Sequence, residues 1–79
     1  MLSVKKNNQF SISIVIPVYN SQDCIEALLT QIIKNLDNLG IIFEIIFVDD
    51  KSIDKSWAIL KKCFAEHKVN MSLIKLSKN

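Results

Sequence analysis

Hydrophobic and polar positions along the chain change period four times, and each change marks an element boundary. Residues 12–18 read Ile-Ser-Ile-Val-Ile-Pro-Val. Ile12, Ile14, Ile16 and Val18 alternate, and Val15 adds an apolar group on the other side. That pattern predicts a strand buried on both faces, as in a parallel sheet. Pro17 has no N–H for a ladder bond, so the strand should end near it. Next come Ile25, Leu28, Leu29, Ile32, Ile33, Leu36 and Leu39, in steps of three and four that mark one face of a helix. Asn20 or Ser21 would cap it, Asp23 suits its first turn, and Gly40 stands where a left-handed residue ends a helix. The helix is placed at about 22–39.

Phe43 to Val48 form a second strand that stops at Asp49-Asp50. Ser52 and Asp54 offer caps for a second helix, with Trp57, Leu60 and Phe64 on one face and Ile59 and Cys63 beside them. Val69, Met71 and Leu73 alternate into a third strand that ends at Ser77-Lys78-Asn79. Strand, helix, strand, helix, strand implies two right-handed crossovers. The expected fold is α/β: a three-stranded parallel sheet in the order 3-2-1 with two helices. Residues 1–10 read as a tail and 11–79 as one unit. In this reading the first strand, apolar on both faces, lies at an open edge. Such an edge is a liability, so a further strand is expected to pair with it, from absent C-terminal sequence or from another molecule.

Composition narrows the function classes. With 49% apolar and 23% charged residues, the 79-residue chain is not a disordered tail. All ten basic residues are lysines, scattered against eight acidic ones, so no nucleic-acid patch is visible. One glycine and one proline exclude a glycine-rich phosphate loop and a turn-rich β fold. Cys24 and Cys63 are too few for a disulfide scaffold or a zinc site and read as reduced, buried thiols of a reducing compartment. There is no signal-peptide core, and no apolar run approaches the roughly 20 residues of a membrane helix. A chain this short buries only about 60% of its unfolded surface, so its stability is marginal.

In open parallel sheets, ligands bind beyond the carboxyl ends of the strands. Pro17, Tyr19 and Asn20 lie there after the first strand, and Asp49, Asp50, Lys51 and Ser52 after the second. A strand-end Asp can accept hydrogen bonds from a base or a ribose, and a Tyr can lie against either. Taken singly, Ser52 and Asp54 read as helix caps, Tyr19 equally well as loop packing, Lys51 as an offset to its acidic neighbours and His67 as a helix-end residue. Two adjacent carboxylates are harder to explain that way, because like charges need a donor or cation opposite. A receiver domain would need its acidic pair after the first strand. A dinucleotide-binding fold would need glycine there.

The run Ser13-Ile14-Val15-Ile16-Pro17-Val18-Tyr19-Asn20 resembles the opening motif of the family 2 glycosyltransferases, which have the GT-A fold. Ile45 to Asp54, Ile-Ile-Phe-Val-Asp-Asp-Lys-Ser-Ile-Asp, is similar to that family's second motif. Ile74 to Asn79 and Trp57 resemble the polyprenyl-phosphate sugar transferase subgroup. The resemblance runs from Ser11 onward and makes residues 11–79 a partial, Rossmann-like nucleotide-binding domain. It implies a nucleoside-diphosphate sugar of UDP or GDP type, with Pro17 and Tyr19 lining the nucleoside, Asp50 on the base and Asp49 supporting the loop. Ser52 and Asp54 match positions that shape the turn. The set expected around the nucleotide is Pro17, Tyr19, Asn20, Asp49, Asp50 and Ser52. Ser21, Gln22 and Asp23 replace the family's glutamates, Lys51 its glycine and Ile53 its threonine. The full enzyme is expected to use a divalent metal, Mg or Mn, whose Asp-x-Asp ligands, like the catalytic base, lie beyond this chain. The chain alone is therefore expected not to transfer sugar. It is expected to be cytoplasmic, or membrane-peripheral at full length. The alternative is a non-catalytic remnant, or a small interaction module that assembles through its first strand.

Overall fold

The apolar runs pair as a parallel sheet because each is flanked by a crossover helix long enough to return the chain to the same end. The computed structural model describes residues 3–5 and 12–76. These form β1 (Ser3–Lys5), β2 (Ile12–Val18), α1 (Ile25–Asn38), β3 (Phe43–Asp50), α2 (Ser56–Glu66) and β4 (Asn70–Leu76). β2, β3 and β4 are parallel neighbours in that order, with Ile14 beside Ile45 and Phe47 beside Leu73. The βαβαβ reading and its strand order therefore hold. Ser11 and the end of the third motif, Ser77 to Asn79, lie outside the described residues.

The edge expected to be open is not open along its whole length. β1 pairs antiparallel with β2, setting Ser3 opposite Val15 and Lys5 opposite Ser13. A three-residue strand is too short for alternation to show in the sequence.

α1 starts later than expected. Its N-cap is Cys24, with no side-chain capping bond, and residues 22–24 form a turn. Asn20 and Ser21 do not cap it, because their side chains bond elsewhere. Its end matches the expectation. Gly40 adopts φ 67°, its N–H donates to the Asp37 carbonyl, and the Ile41 N–H donates to that of Leu36. This is a Schellman closure, for which glycine has no Cβ penalty. α2 likewise starts at Ser56, with Lys55 as N-cap. At its end the Nδ1 of His67 lies 3.1 Å from the Cys63 carbonyl oxygen, consistent with a helix-end role.

Both helices pack on one face of the sheet. Ile14, Ile16 and Val18 of β2 and Phe43, Ile45 and Phe47 of β3 form the core with Ile25 and Leu29 of α1 and Leu60 and Cys63 of α2. The buried stripe of α2 is Ser56, Leu60 and Cys63, while Phe64 is exposed, so that helix is rotated from the expected Trp57–Leu60–Phe64 face. Trp57 is half-buried, and Lys75 of β4 lies over its ring at 5.4 Å. Cys63 is buried as expected. Cys24 is exposed, because it precedes the helix instead of lying on its inner stripe. Burial and the nearby Glu26 and Glu66 carboxylates push the Cys63 thiol above its ordinary value.

The opposite face of the sheet carries Val15, Pro17, Ile46, Val48, Ile74 and Leu76 toward the carboxyl end, with Ser72 beside Ile46, and Ser13, Glu44 and Asn70 toward the other. Ser13 donates to Glu44 there. Among the described residues no helix covers this face. No helix is long and apolar enough to cross a membrane.

Truncating the fully buried Phe47 to Ala should cost about 3–5 kcal/mol, enough to unfold so small a unit. Ile53→Ser, at a side chain 90% exposed, should change stability by less than about 0.5 kcal/mol. Urea unfolding followed by far-UV circular dichroism measures both.

Candidate functional site

Two loops leave the carboxyl ends of β2 and β3, and each carries backbone N–H groups that no strand or helix ladder satisfies. They satisfy one another. The Asn20 N–H donates to Ser52 Oγ at 2.9 Å, the Ser21 N–H to Ser56 Oγ at 2.7 Å, and the Gln22 N–H to Asp54 Oδ2 at 3.2 Å. In return, the Ile53 N–H donates to Asn20 Oδ1 at 2.9 Å and the Lys55 N–H to Gln22 Oε1 at 2.8 Å. A longer bond of 3.4 Å joins the Asp54 N–H to Asn20 Oδ1. Local bonds finish the set: Ser56 N–H to Asp54 Oδ1 at 2.8 Å, and Ser21 Oγ to the Tyr19 carbonyl at 2.9 Å. Asp54 thus serves the start of α2 as a capping residue would, while also accepting from the other loop.

The parallel register brings the predicted residues to one rim. Pro17 lies beside Val48 and Val18 beside Asp49, so Tyr19 and Asp50 follow at the same end of neighbouring strands. Strand alternation then separates the two carboxylates. Asp49 is fully buried on the helix side, where it accepts from Ser52 Oγ at 2.5 Å and from the Ser52 N–H at 3.4 Å. Asp50 is exposed on the opposite row, which it shares with Pro17. The adjacency that looked electrostatically costly is relieved by this divergence and by the Ser52 donors. Tyr19 is 63% exposed at the rim. Of the six residues expected around a nucleotide, Pro17, Tyr19, Asn20 and Asp50 are exposed; Asn20 and Ser52 bond across the two loops, and buried Asp49 bonds Ser52.

The sequence reading missed three members of that network. Gln22 was marked only as a departure from a motif. Ser56 carried no signal, since a serine at a helix start is unremarkable. Asp54 was read as a local cap without its partner 32 residues away. An apolar hollow between β2 and α1 is lined by Pro17 and Ser21 together with Ile16, Cys24, Leu28 and Phe47, and neither Tyr19 nor Asp50 lines it.

Two loop residues hold left-handed backbones, Asn20 at φ 46° and Lys51 at φ 61°. Asparagine tolerates this region better than most residues, and lysine does not. The motif position where lysine replaces glycine is therefore one that requires a positive φ. Among the described residues no group of three His, Cys, Asp or Glu could hold a metal ion. Asp49 and Asp50 do not fit one as a pair, because they face opposite sides of the sheet.

Partial desolvation by itself would raise the Asp54 pKa. The hydrogen bonds from Ser56 and Gln22 outweigh it and hold the carboxyl below its ordinary value. A lowered folded-state value means a stabilising contribution present above the unfolded value and lost as pH falls through the folded one. Acid titration should therefore shift the Gln22 and Ser56 amide resonances together at a pH below the usual Asp range, and Asp54→Asn should abolish that step. Separately, Lys51→Gly should raise stability by about 1 kcal/mol in urea unfolding, by relieving the left-handed lysine.

Comparison with known proteins gives the family. Residues 13–79 match the model of the family described as Glycosyl transferase family 2. The chain is similar to an undecaprenyl-phosphate 4-deoxy-4-formamido-L-arabinose transferase of Edwardsiella ictaluri, with 47% identity over 57 residues, 72% of this chain and 17% of that protein. It is 40% identical over 68 residues to the transferase of the same name from Pseudomonas fluorescens, covering 86% of this chain and 20% of that one. A poly(ribitol-phosphate) beta-glucosyltransferase of Bacillus spizizenii is 49% identical over 55 residues, 65% of this chain and 8% of its own length. The chain thus spans a fifth or less of the length of these relatives. The match of both loop motifs and of the strands that carry them places the chain in glycosyl transferase family 2.

Proposed function

We propose that this chain forms the nucleoside-binding wall of a glycosyltransferase that takes its sugar from a nucleoside diphosphate, of UDP or GDP type. The observation that carries this reading is the pairing of an exposed aromatic, Tyr19, with an exposed carboxylate, Asp50, on loops locked to one another at the carboxyl rim. Tyr19 offers an apolar surface to a base or ribose. Asp50 accepts hydrogen bonds from base N–H or ribose O–H groups, and charge-assisted bonds of that kind are strong enough to orient a ligand. Pro17, beside Val48, supplies a rigid apolar floor without a competing N–H donor.

A divalent metal, Mg or Mn, would neutralise the leaving diphosphate in the full family enzyme. The described residues do not form its site, so this chain's part is recognition of the nucleoside and not bond cleavage. The chain by itself is proposed to be inactive in sugar transfer. By analogy with relatives named for undecaprenyl phosphate, the acceptor of the complete protein is proposed to be a polyprenyl phosphate, reached by peripheral contact with a membrane on the cytoplasmic side.

A second reading, a non-catalytic interaction module, draws support from the uncovered apolar half of the sheet around Val48 and Ile74. The edge of β2 gives it less support, since β1 already occupies Ser13 to Val15.

Titration of isotope-labelled protein with UDP or GDP separates the two. The Tyr19 and Asp50 amides should shift with a Kd on the order of millimolar, as suits half of a pocket. Asp50→Ala should weaken that binding by about tenfold. No shift at millimolar nucleotide, together with a mass that rises with concentration in sedimentation equilibrium, would decide for the interaction module.

A further inference from the structure

We infer that Asn20 is a positioning residue for Asp50, acting through the protein and not on the nucleotide; this rests on the nucleotide reading above. Its side-chain oxygen is occupied. Asn20 Oδ1 accepts from the Ile53 N–H at 2.9 Å and from the Asp54 N–H at 3.4 Å. Its backbone N–H is occupied as well, donating to Ser52 Oγ at 2.9 Å. Ser52 then donates to Asp49 Oδ1 at 2.5 Å, and Asp49 is fully buried. The relay therefore ends on a carboxylate that cannot reach a ligand but is the covalent neighbour of the one that can.

The same residue fixes the loop on the far side of its strained turn. Ser52 and Ile53 are held by Asn20 immediately after Lys51, whose φ of 61° is unfavourable for a side-chain-bearing residue. On the other side, Asp49 is anchored in the core. Asp50 and Lys51 are thus the two residues between fixed points. Asn20 reaches both its roles because its own backbone is left-handed, at φ 46°, which turns its amide and side chain toward the neighbouring loop. The Ser21–Ser56 and Gln22–Asp54–Lys55 bonds act further along, at the start of α2, and do not border Asp50.

Two substitutions separate the roles. Asn20→Gly keeps the left-handed backbone and removes the acceptor. Asn20→Asp keeps an acceptor oxygen and tolerates the same backbone, but exchanges the amide donor for a negative charge, so it is compared with the parent at high ionic strength, where that charge is screened. In titrations of the 79-residue chain with UDP and GDP, Asn20→Gly should weaken binding about tenfold and speed hydrogen exchange at the Ile53 amide. With the added charge screened, Asn20→Asp should bind within about threefold of the parent measured in the same salt. Parent-like affinity in Asn20→Gly, despite faster Ile53 exchange, would overturn the inference. Equal loss in both variants at high ionic strength would overturn it too, because the loss would then follow the Asn20 amide and not its acceptor oxygen. If Asn20→Gly does not fold, Ser52→Ala cuts the same relay at its middle, and retained affinity there sinks the idea. Should the parent not respond to either nucleotide, the functional proposal fails separately. Positioning is then read from the Asp50 carboxyl carbon resonance, which must move in Asn20→Gly, and an unmoved resonance refutes it.

Discussion

The fold and its site depend on how two loops dispose of their backbone N–H groups. Residues leaving a parallel strand for a helix have no ladder partner, and each hydrogen bond they find instead contributes about 0.5–1.5 kcal/mol. Here the loops after β2 and β3 exchange donors and acceptors across the gap between them. Asn20 and Gln22 accept from the second loop, while Ser52, Asp54 and Ser56 accept from the first. The reciprocity ties the entries of α1 and α2 together. It also explains why neither helix has a side-chain cap at its own N-cap position. The one ion pair between the helices among the described residues, Lys62–Glu26 at 3.8 Å and largely exposed, adds little to this by comparison.

The second organising fact is that both crossovers lie on the same side of the sheet. That arrangement gives the two carboxylates of β3 different environments. Asp49 faces the helices and becomes part of the protein's internal bonding. Asp50 faces away and stays available. A two-residue acidic motif is thus divided by the pleat of the strand into one internally bonded and one solvent-facing group.

The departures from the family's motifs make physical sense to different degrees. Gln22 keeps a side-chain carbonyl where the family has a carboxylate, and the Lys55 N–H uses it. Ile53 replaces threonine at a position that is 90% exposed and engaged through its backbone, so the side chain is free to vary. Lys51 is different. Its backbone keeps the left-handed conformation for which glycine is the unstrained choice.

Much of the architecture was decided by local pattern. The strand–helix–strand–helix–strand order follows from periods of two and 3.6 in the apolar residues, and the end of α1 follows from a single glycine. Handedness rules then leave few arrangements for the three long strands, and the observed pairing selects β2-β3-β4. The sequence also brought Tyr19 and Asp50 to the same rim, because both sit one step past the carboxyl half of neighbouring parallel strands. It did not say which polar residues at that rim would be left for a ligand. Asn20, Ser52 and Asp49 share the chemistry of binding residues. Whether they meet a nucleotide or each other depends on contacts between residues some 30 positions apart. β1 was hidden for a similar reason: three residues carry no period, and only the edge they pair with makes them a strand. Local spacing determined the elements and the end of the sheet where a site could form. Tertiary contact alone decided which side chains the site retains, since hydrogen-bond partners distant in sequence cannot be read from spacing.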